Sequence, residues 1–374
     1  MQKINLWDLS DEKIKIKINK EIRNNLLSEA LKIFNSDKKI ATYFGISTER
    51  FHMLKIGKSS IPLTFIIKII DKLSQKNKLL YRNMIESNLN EIKFGKSSKS
   101  KPIQNPKFPI KFSIKLARVA GHIIGDGGMR RKSTDVTVYY ANNNWQLVNQ
   151  FENDILDIFG KINFKEYKHL NAKIVILPSI VGFILTQFLG EQQNQTKHVP
   201  GIIFNLDKEI QAVFLRSLYD DEGSVSIESN CILFKMTSKK TVEDCQKLLR
   251  NFSIKPGEIK FKDGTNTNEK RIYYFYLSGR PDLEKFTKYI GFEHSHKLRK
   301  LDKLLSNYKK EGFKQGETRE RIFSQIQTND GITVKELSKK LRIPPSAIRM
   351  HTRKMKNRGL IKAIKPQYEE IFFK

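Results

Sequence analysis

Cysteine is scarce in this chain: Cys231 and Cys245 are the two among 374 residues. Neither belongs to a Cys-x-x-Cys pair, and no His/Cys grouping has zinc-finger spacing. A disulfide framework and a structural zinc site are therefore excluded as organising devices, and both thiols are expected to be reduced core residues. Long apolar runs are missing as well. The opening Met-Gln-Lys-Ile-Asn-Leu-Trp-Asp has no signal-peptide core. The most apolar stretch, 174–189, is interrupted by Pro178, Ser179, Thr186 and Gln187. It is too short and too broken for a bilayer and reads better as a buried strand followed by a core helix. Acid is also under-represented. Lys plus Arg number 69 against 39 for Asp plus Glu, a net charge of +30. A polyanionic partner is the leading expectation, and an apolar fraction of 39% leaves enough for globular cores.

What the chain does contain is a repeat. Val119-Ala120-Gly121-His122-Ile123-Ile124-Gly125-Asp126-Gly127 reads as the end of a buried helix that delivers one acid to a turn. Ala117, Ala120, Gly121 and Gly125 leave a bare face on which a second helix can approach closely. A carboxylate at a helix C-terminus faces the unfavourable end of the dipole, so a cation is expected beside Asp126. A second copy, Phe214 to Val225, repeats the order: apolar helix, acid at Glu222, glycine at Gly223, strand. A period of roughly 100 residues suits a duplicated half-domain and is too long for a solenoid.

Both stretches resemble the paired motifs of the LAGLIDADG homing endonucleases. The resemblance covers about 112–305 and takes in the 142–160 segment, Lys197-His198-Val199-Pro200, and Tyr289-Ile290-Gly291-Phe292 with Lys297. It implies an α+β fold: a pseudo-two-fold, duplicated αββαββα core with halves at 112–205 and 206–305. It implies Asp126 and Glu222 as metal ligands and the Gly125 and Asp221 carbonyls as further ones, with Mg²⁺ or Mn²⁺ as the ion. Lys197 lies 197 − 126 = 71 residues after the first acid and Lys297 lies 297 − 222 = 75 after the second. They resemble active-site lysines that orient water or offset phosphate charge. The chain departs from the family pattern at Ile124, where an acid is usual. It departs again at Arg216, Ser217 and Asp221, where smaller or apolar residues are usual, and Asp221 is expected to crowd the site with charge. No Cys or Ser begins the chain and Ile-Phe-Phe-Lys ends it, so a splicing activity is not expected.

The flanks carry their own patterns. Residues 1–95 read as an all-α domain. In it, Lys39 to Phe51 forms a helix, a Gly45 turn and a second helix capped by Ser47, a helix-turn-helix. Arg50, His52, Met53 and Lys55 would then face DNA. Residues 96–111, rich in Pro, Ser and Lys, read as a basic linker. Within the core, Arg130, Arg131, Lys132, Lys235 and Arg271 are expected on sheet faces that fit a major groove. A second linker at 306–317 leads to a winged helix at 318–374, opened by a capping pattern at Thr333. Its recognition helix would carry Ser346, Arg349, Met350, Arg353 and Lys354.

These features predict a monomeric, Mg²⁺-dependent, site-specific endonuclease of double-stranded DNA, cytoplasmic and nucleoid-associated in a prokaryote. Phosphodiester cleavage needs an activated water and a stabilised leaving oxygen, which divalent ions held by carboxylates supply. The rival is a transcription regulator that kept this fold to bind DNA without cutting it. Two added DNA-binding modules favour the regulator; the retained pair of acids favours the nuclease.

Overall fold

The computed structural model describes residues 3–9, 11–95, 101–132, 135–193, 196–264, 270–307, 317–329, 331–364 and 371–373. The linker expected at 306–317 falls almost wholly outside them, as do the first residues of the 96–111 stretch.

The N-terminal region is not all-helical, contrary to the expectation. Ile14–Ile18 is a strand, and it pairs with Leu89–Phe94 and Ile61–Pro62. The reason is local. Ile-Lys-Ile-Lys-Ile alternates with period two, and its three β-branched isoleucines all point into the core. The helices Lys20–Phe34, Asp37–Tyr43, Thr48–Lys55, Leu63–Ile70 and Gln75–Ser87 pack around this sheet. The predicted helix-turn-helix lies at Asp37–Tyr43 and Thr48–Lys55. Gly45 adopts φ 62° in the turn, and Ser47 Oγ accepts from Arg50 N at 3.1 Å.

The 96–111 stretch is not slack either. Ile103–Gln104 is a strand that joins Leu89–Phe94 to Lys161–Ile162 of the core, completing a five-stranded sheet. Phe94 stacks on Phe183 with ring centroids 4.8 Å apart. The N-terminal region therefore shares one hydrophobic core with the repeat that follows.

The duplication is real at the level of topology. The first half runs from helix Ile114–Ile124 through strands Gly128–Lys132 and Asp135–Asn142, helix Trp145–Phe159, strands Lys165–His169 and Ala172–Leu177, to helix Ser179–Leu189. The second runs from helix Lys208–Glu222 through Gly223–Ser226 and Cys231–Met236, helix Lys239–Asn251, Lys260–Lys262 and Ile272–Ser278, to helix Arg280–Tyr289. In both four-stranded sheets the first strand is at one edge, the third at the other, and the fourth lies between second and third. The helix Ser295–Asn307 follows the second half.

The C-terminal module has its own core, centred on Ile322, Leu337, Ile348 and Phe372. Helices Glu317–Thr328, Val334–Leu341 and Pro345–Asn357 lie beside a sheet of Ile332–Thr333, Ile371–Phe373 and Lys362–Ile364. Thr333 and Glu336 form the expected reciprocal cap. The apolar stretch 174–189 is a strand followed by a core helix, and no described helix is long and apolar enough to cross a membrane.

Candidate functional site at the crossing of the two motif helices

Ile114–Ile124 and Lys208–Glu222 pack against each other through their small residues. A Cβ added to Gly121 would lie 2.7 Å from both the Phe214 carbonyl oxygen and Ser217 Cβ. One added to Gly125 would lie 2.5 Å from Asp221 Oδ2. The pairs Gly121/Ser217 and Gly125/Asp221 share the offset of the two acids, 222 − 126 = 96 residues. Equivalent positions of the two copies thus meet each other, which is what a pseudo-dyad through the crossing requires.

Asp126 and Glu222 stand one residue beyond this contact. Asp126 is exposed and Glu222 half-buried. Although the Asp126 side chain reaches solvent, protein crowds its base, and that desolvation followed by the Asp221 charge pushes its carboxyl up to about 6. Burial, then the charges of Asp126 and Asp221, push Glu222 up to about 7. Lys197 and Lys297 are each held below the usual lysine range by burial, against the pull of both Asp126 and Glu222. Each lysine therefore feels the acids of both halves, and the four groups form one electrostatic unit.

The lysines have a second, structural task. Lys197 Nζ donates to the Gly125 and Gly127 carbonyls, both at 2.8 Å. Lys297 Nζ donates to the carbonyls of Tyr219, Asp220 and Asp221 at 3.2, 2.5 and 3.4 Å. Each caps the C-terminal end of one motif helix, where orphan carbonyls and the negative end of the dipole favour a cation. The cation expected beside Asp126 is thus partly a lysine. The Gly125 and Asp221 carbonyls, expected as metal ligands, each accept from one of these ammonium groups, at 2.8 and 3.4 Å.

Asp221 does more than crowd the site. Its side chain is fully buried. Oδ1 accepts from Tyr140 Oη at 2.9 Å and Asn142 Nδ2 at 3.2 Å. Oδ2 accepts from Asp126 N at 3.3 Å and lies 3.1 Å from His122 Nδ1. Asn142 Nδ2 also donates to Asp126 Oδ2 at 2.9 Å. Burial and then the Asp221 charge drive the Tyr140 phenol well above its ordinary range, so it stays a donor. Asp220 has a different use. It accepts from Glu293 N and His294 N, which fixes the chain entering the last core helix, while burial pushes its carboxyl up to about 6. None of Tyr140, Asn142 and Asp220 was singled out from the sequence. The one available signal was the polar Asn142 two residues ahead of a helix cap.

The expected DNA-facing residues separate by strand alternation. Arg130 pairs with Thr137, on the face away from the helices, whereas Arg131 pairs with buried Val136 and points the other way. Of Lys132 the backbone alone is described. Lys235 is exposed, opposite Tyr274. With Lys197, Glu222, Met236, Thr237, Lys270 and Ile272 it lines a cavity of about 280 Å³. Arg271 is turned aside: its guanidinium lies over the Phe261 ring at 4.6 Å and pairs with Asp263 at 2.5 Å. Arg50, His52 and Met53 are exposed on the N-terminal helix, while Lys55 pairs with Asp37 at 2.9 Å. Ser346, Arg349, Met350, Arg353 and Lys354 share the exposed side of Pro345–Asn357, opposite buried Ile348, Thr352 and Met355.

An oxygen-only donor set of this kind suits Mg²⁺ or Mn²⁺. The raised carboxyls fit it too, because a cation would relieve anions that the two lysines do not fully offset. Among the described residues, no group of three or more His, Cys, Asp or Glu is arranged around one metal position. Two carboxylates would therefore have to be completed by water and substrate phosphate, as Mg²⁺ accepts.

Two family models agree with this architecture. Residues 209–291 match the family model of a LAGLIDADG-like domain, and residues 316–362 match that of a winged helix-turn-helix DNA-binding module. A glutamine–fructose-6-phosphate aminotransferase of Methanocaldococcus jannaschii is 27% identical over 220 residues, 56% of this chain and 19% of that protein. A probable translation initiation factor IF-2 of the same organism is 28% identical over 268 residues, 67% of this chain and 21% of its own. The chain spans about a fifth of the length of these relatives. Among solved structures, I-DmoI in complex with DNA and Mn is 19% identical, covering 48% of this chain and 97% of its own, with a TM-score of 0.38. Full-length DUF199/WhiA from Thermatoga maritima is 16% identical, covering 66% and 90%, with a TM-score of 0.37. With two motif helices crossing at their small residues and a family match in the second half, the chain contains a LAGLIDADG-like domain and a C-terminal winged helix-turn-helix module.

Proposed function

We propose that this chain is a divalent-metal-dependent endonuclease of double-stranded DNA, of the homing type, with one acid per half-domain. The observation that carries the reading is the close crossing of the two motif helices at Gly121/Ser217 and Gly125/Asp221, with one acid, Asp126 or Glu222, standing one residue beyond it in each half. A pure DNA binder gains nothing from carboxylates set against phosphates. The relatives give further support. Proteins with unlike names share this segment, and it makes up about a fifth of each; a self-contained insert has that distribution.

The bound metal would lower the pKa of an attacking water and offset charge on the leaving oxygen. Asp126 and Glu222 would hold it from opposite sides of the dyad, each serving one strand. Lys197 and Lys297 fix the ends of the motif helices and so the position of each acid. With Lys235 and Lys270 they make the surroundings of Glu222 attractive to a phosphate. Arg130 and Lys235 face the groove from the two sheets. The helix-turn-helix at Arg50 and His52 and the winged helix at Arg349, Arg353 and Lys354 would extend the contacted DNA. The division proposed for this work is an N-terminal module at 1–95 joined through 96–111 to a core at 112–305, and a separate module at 318–374 beyond the 306–317 linker.

The test is a cleavage screen on a randomised duplex library in Mg²⁺. Cutting at a defined sequence, lost in the double variant Asp126→Asn/Glu222→Gln, is expected; no cutting, or cutting indifferent to that variant, overturns the reading. The presence of two flanking DNA-binding modules favours the regulator as second reading. Promoter occupancy in cells without strand breaks would select it.

A further inference from the structure

The two acids of this site have unequal surroundings. Asp126 is held by the Asn142 amide, and Asn142 is itself locked, since its Oδ1 accepts from Asn144 N at 2.8 Å. That contact leaves Nδ2 aimed at the two carboxylates. Asp221 completes the clasp from the other half by accepting from Asn142 and from the Asp126 backbone N–H. Among the described residues no symmetric clasp holds Glu222. Across the dyad, the place of Asp221 is taken by Gly125. Asn142 stands two residues before the helix cap Asn144, and the residue two before the corresponding cap Ser238 is Met236. Met236 cannot donate, and Glu222 instead borders an open cavity lined by Lys197, Lys235 and Lys270. Among the described residues the Glu222 carboxylate has no hydrogen-bond donor.

We propose that Asn142 and Asp221 are a positioning pair that presets Asp126, so that a divalent cation occupies the Asp126 side first and the strand it serves is cut first. A carboxylate held in place loses less freedom on binding than a free one, and the buried Asp221 charge adds attraction without acting as a ligand. The proposal rests on the nuclease reading.

Mn²⁺ binding to the full chain in complex with the duplex selected by the cleavage screen, followed by electron paramagnetic resonance, tests it by metal occupancy and not by turnover. Two classes of site are expected. Asn142→Leu should weaken the tighter class about tenfold or more while leaving the weaker one and the circular dichroism spectrum unchanged, and Glu222→Gln should remove the weaker class. An isotherm unaffected by Asn142→Leu but lost in Asp126→Asn overturns the proposal and leaves the nuclease reading intact. Absence of any Mn²⁺ binding that depends on Asp126 overturns both. On a cleaved target, a nicked intermediate of one defined strand is expected, and its loss in Asp221→Asn; equal cutting of both strands by the unmodified chain also overturns the proposal.

Discussion

Gly121 shows how one residue sets the distance between halves. Any side chain there meets backbone at Phe214, which cannot move aside as a flexible tip would. Gly121→Val should cost roughly 1–3 kcal/mol in urea denaturation, as overpacked contacts do, and an unchanged midpoint would contradict the close crossing. The acids make a pH prediction. Their folded carboxyls titrate at about 6 and about 7, above the usual values near 4. The folded chain then binds protons more tightly than the unfolded chain between those limits. Stability from these two groups is full below about pH 4 and falls as pH rises to 7. The metal-free melting temperature should therefore fall over that range, and Asp126→Asn/Glu222→Gln should flatten the slope. At this scale the acids, lysines and small residues were legible, because each type is the physical requirement of its place. Asp221 was legible only as an anomaly: its partners Tyr140, Asn142 and His122 are 79 or more residues away, and no local pattern predicts that they converge.

At the level of elements, each motif helix ends on a lysine from a distant loop or helix. Lys197→Met removes both hydrogen bonds to the Gly125 and Gly127 carbonyls and should destabilise the fold by roughly 1.5–3 kcal/mol. If Lys197 acts on phosphate alone, that variant would lose DNA affinity with no loss of stability. The strands show where pattern reading runs out. Three consecutive basic residues, Arg130 to Lys132, cannot all face one groove, because side chains alternate. Arg130→Ala should weaken DNA binding, measured by fluorescence anisotropy, far more than Arg131→Ala. The Ile14–Ile18 strand was missed because five alternating residues lie between helical patterns, and the sheet that rewards them is closed by Leu89–Phe94, some 75 residues later. The winged helix, by contrast, was legible from its cap and its basic, regularly spaced face.

For the whole molecule, the excess of 30 positive charges is distributed over an N-terminal module fused to the first half, a duplicated core and a C-terminal module. The fusion was not legible, since Pro-, Ser- and Lys-rich composition describes solvated slack and the surroundings of a two-residue strand such as Ile103–Gln104 equally well. Binding should weaken steeply with salt, and Arg349→Ala/Arg353→Ala should reduce the salt slope by about one unit per lost phosphate contact. The claim on which the molecule's function turns is that acids from both halves hold cations beside a duplex. The most direct measurement is the anomalous scattering of Mn²⁺ in crystals of the full chain bound to its selected DNA. The account predicts peaks at oxygen-bonding distance, about 2 Å, from the carboxylates of Asp126 and Glu222. Well-ordered DNA across the two sheets with no peak at either acid would contradict it.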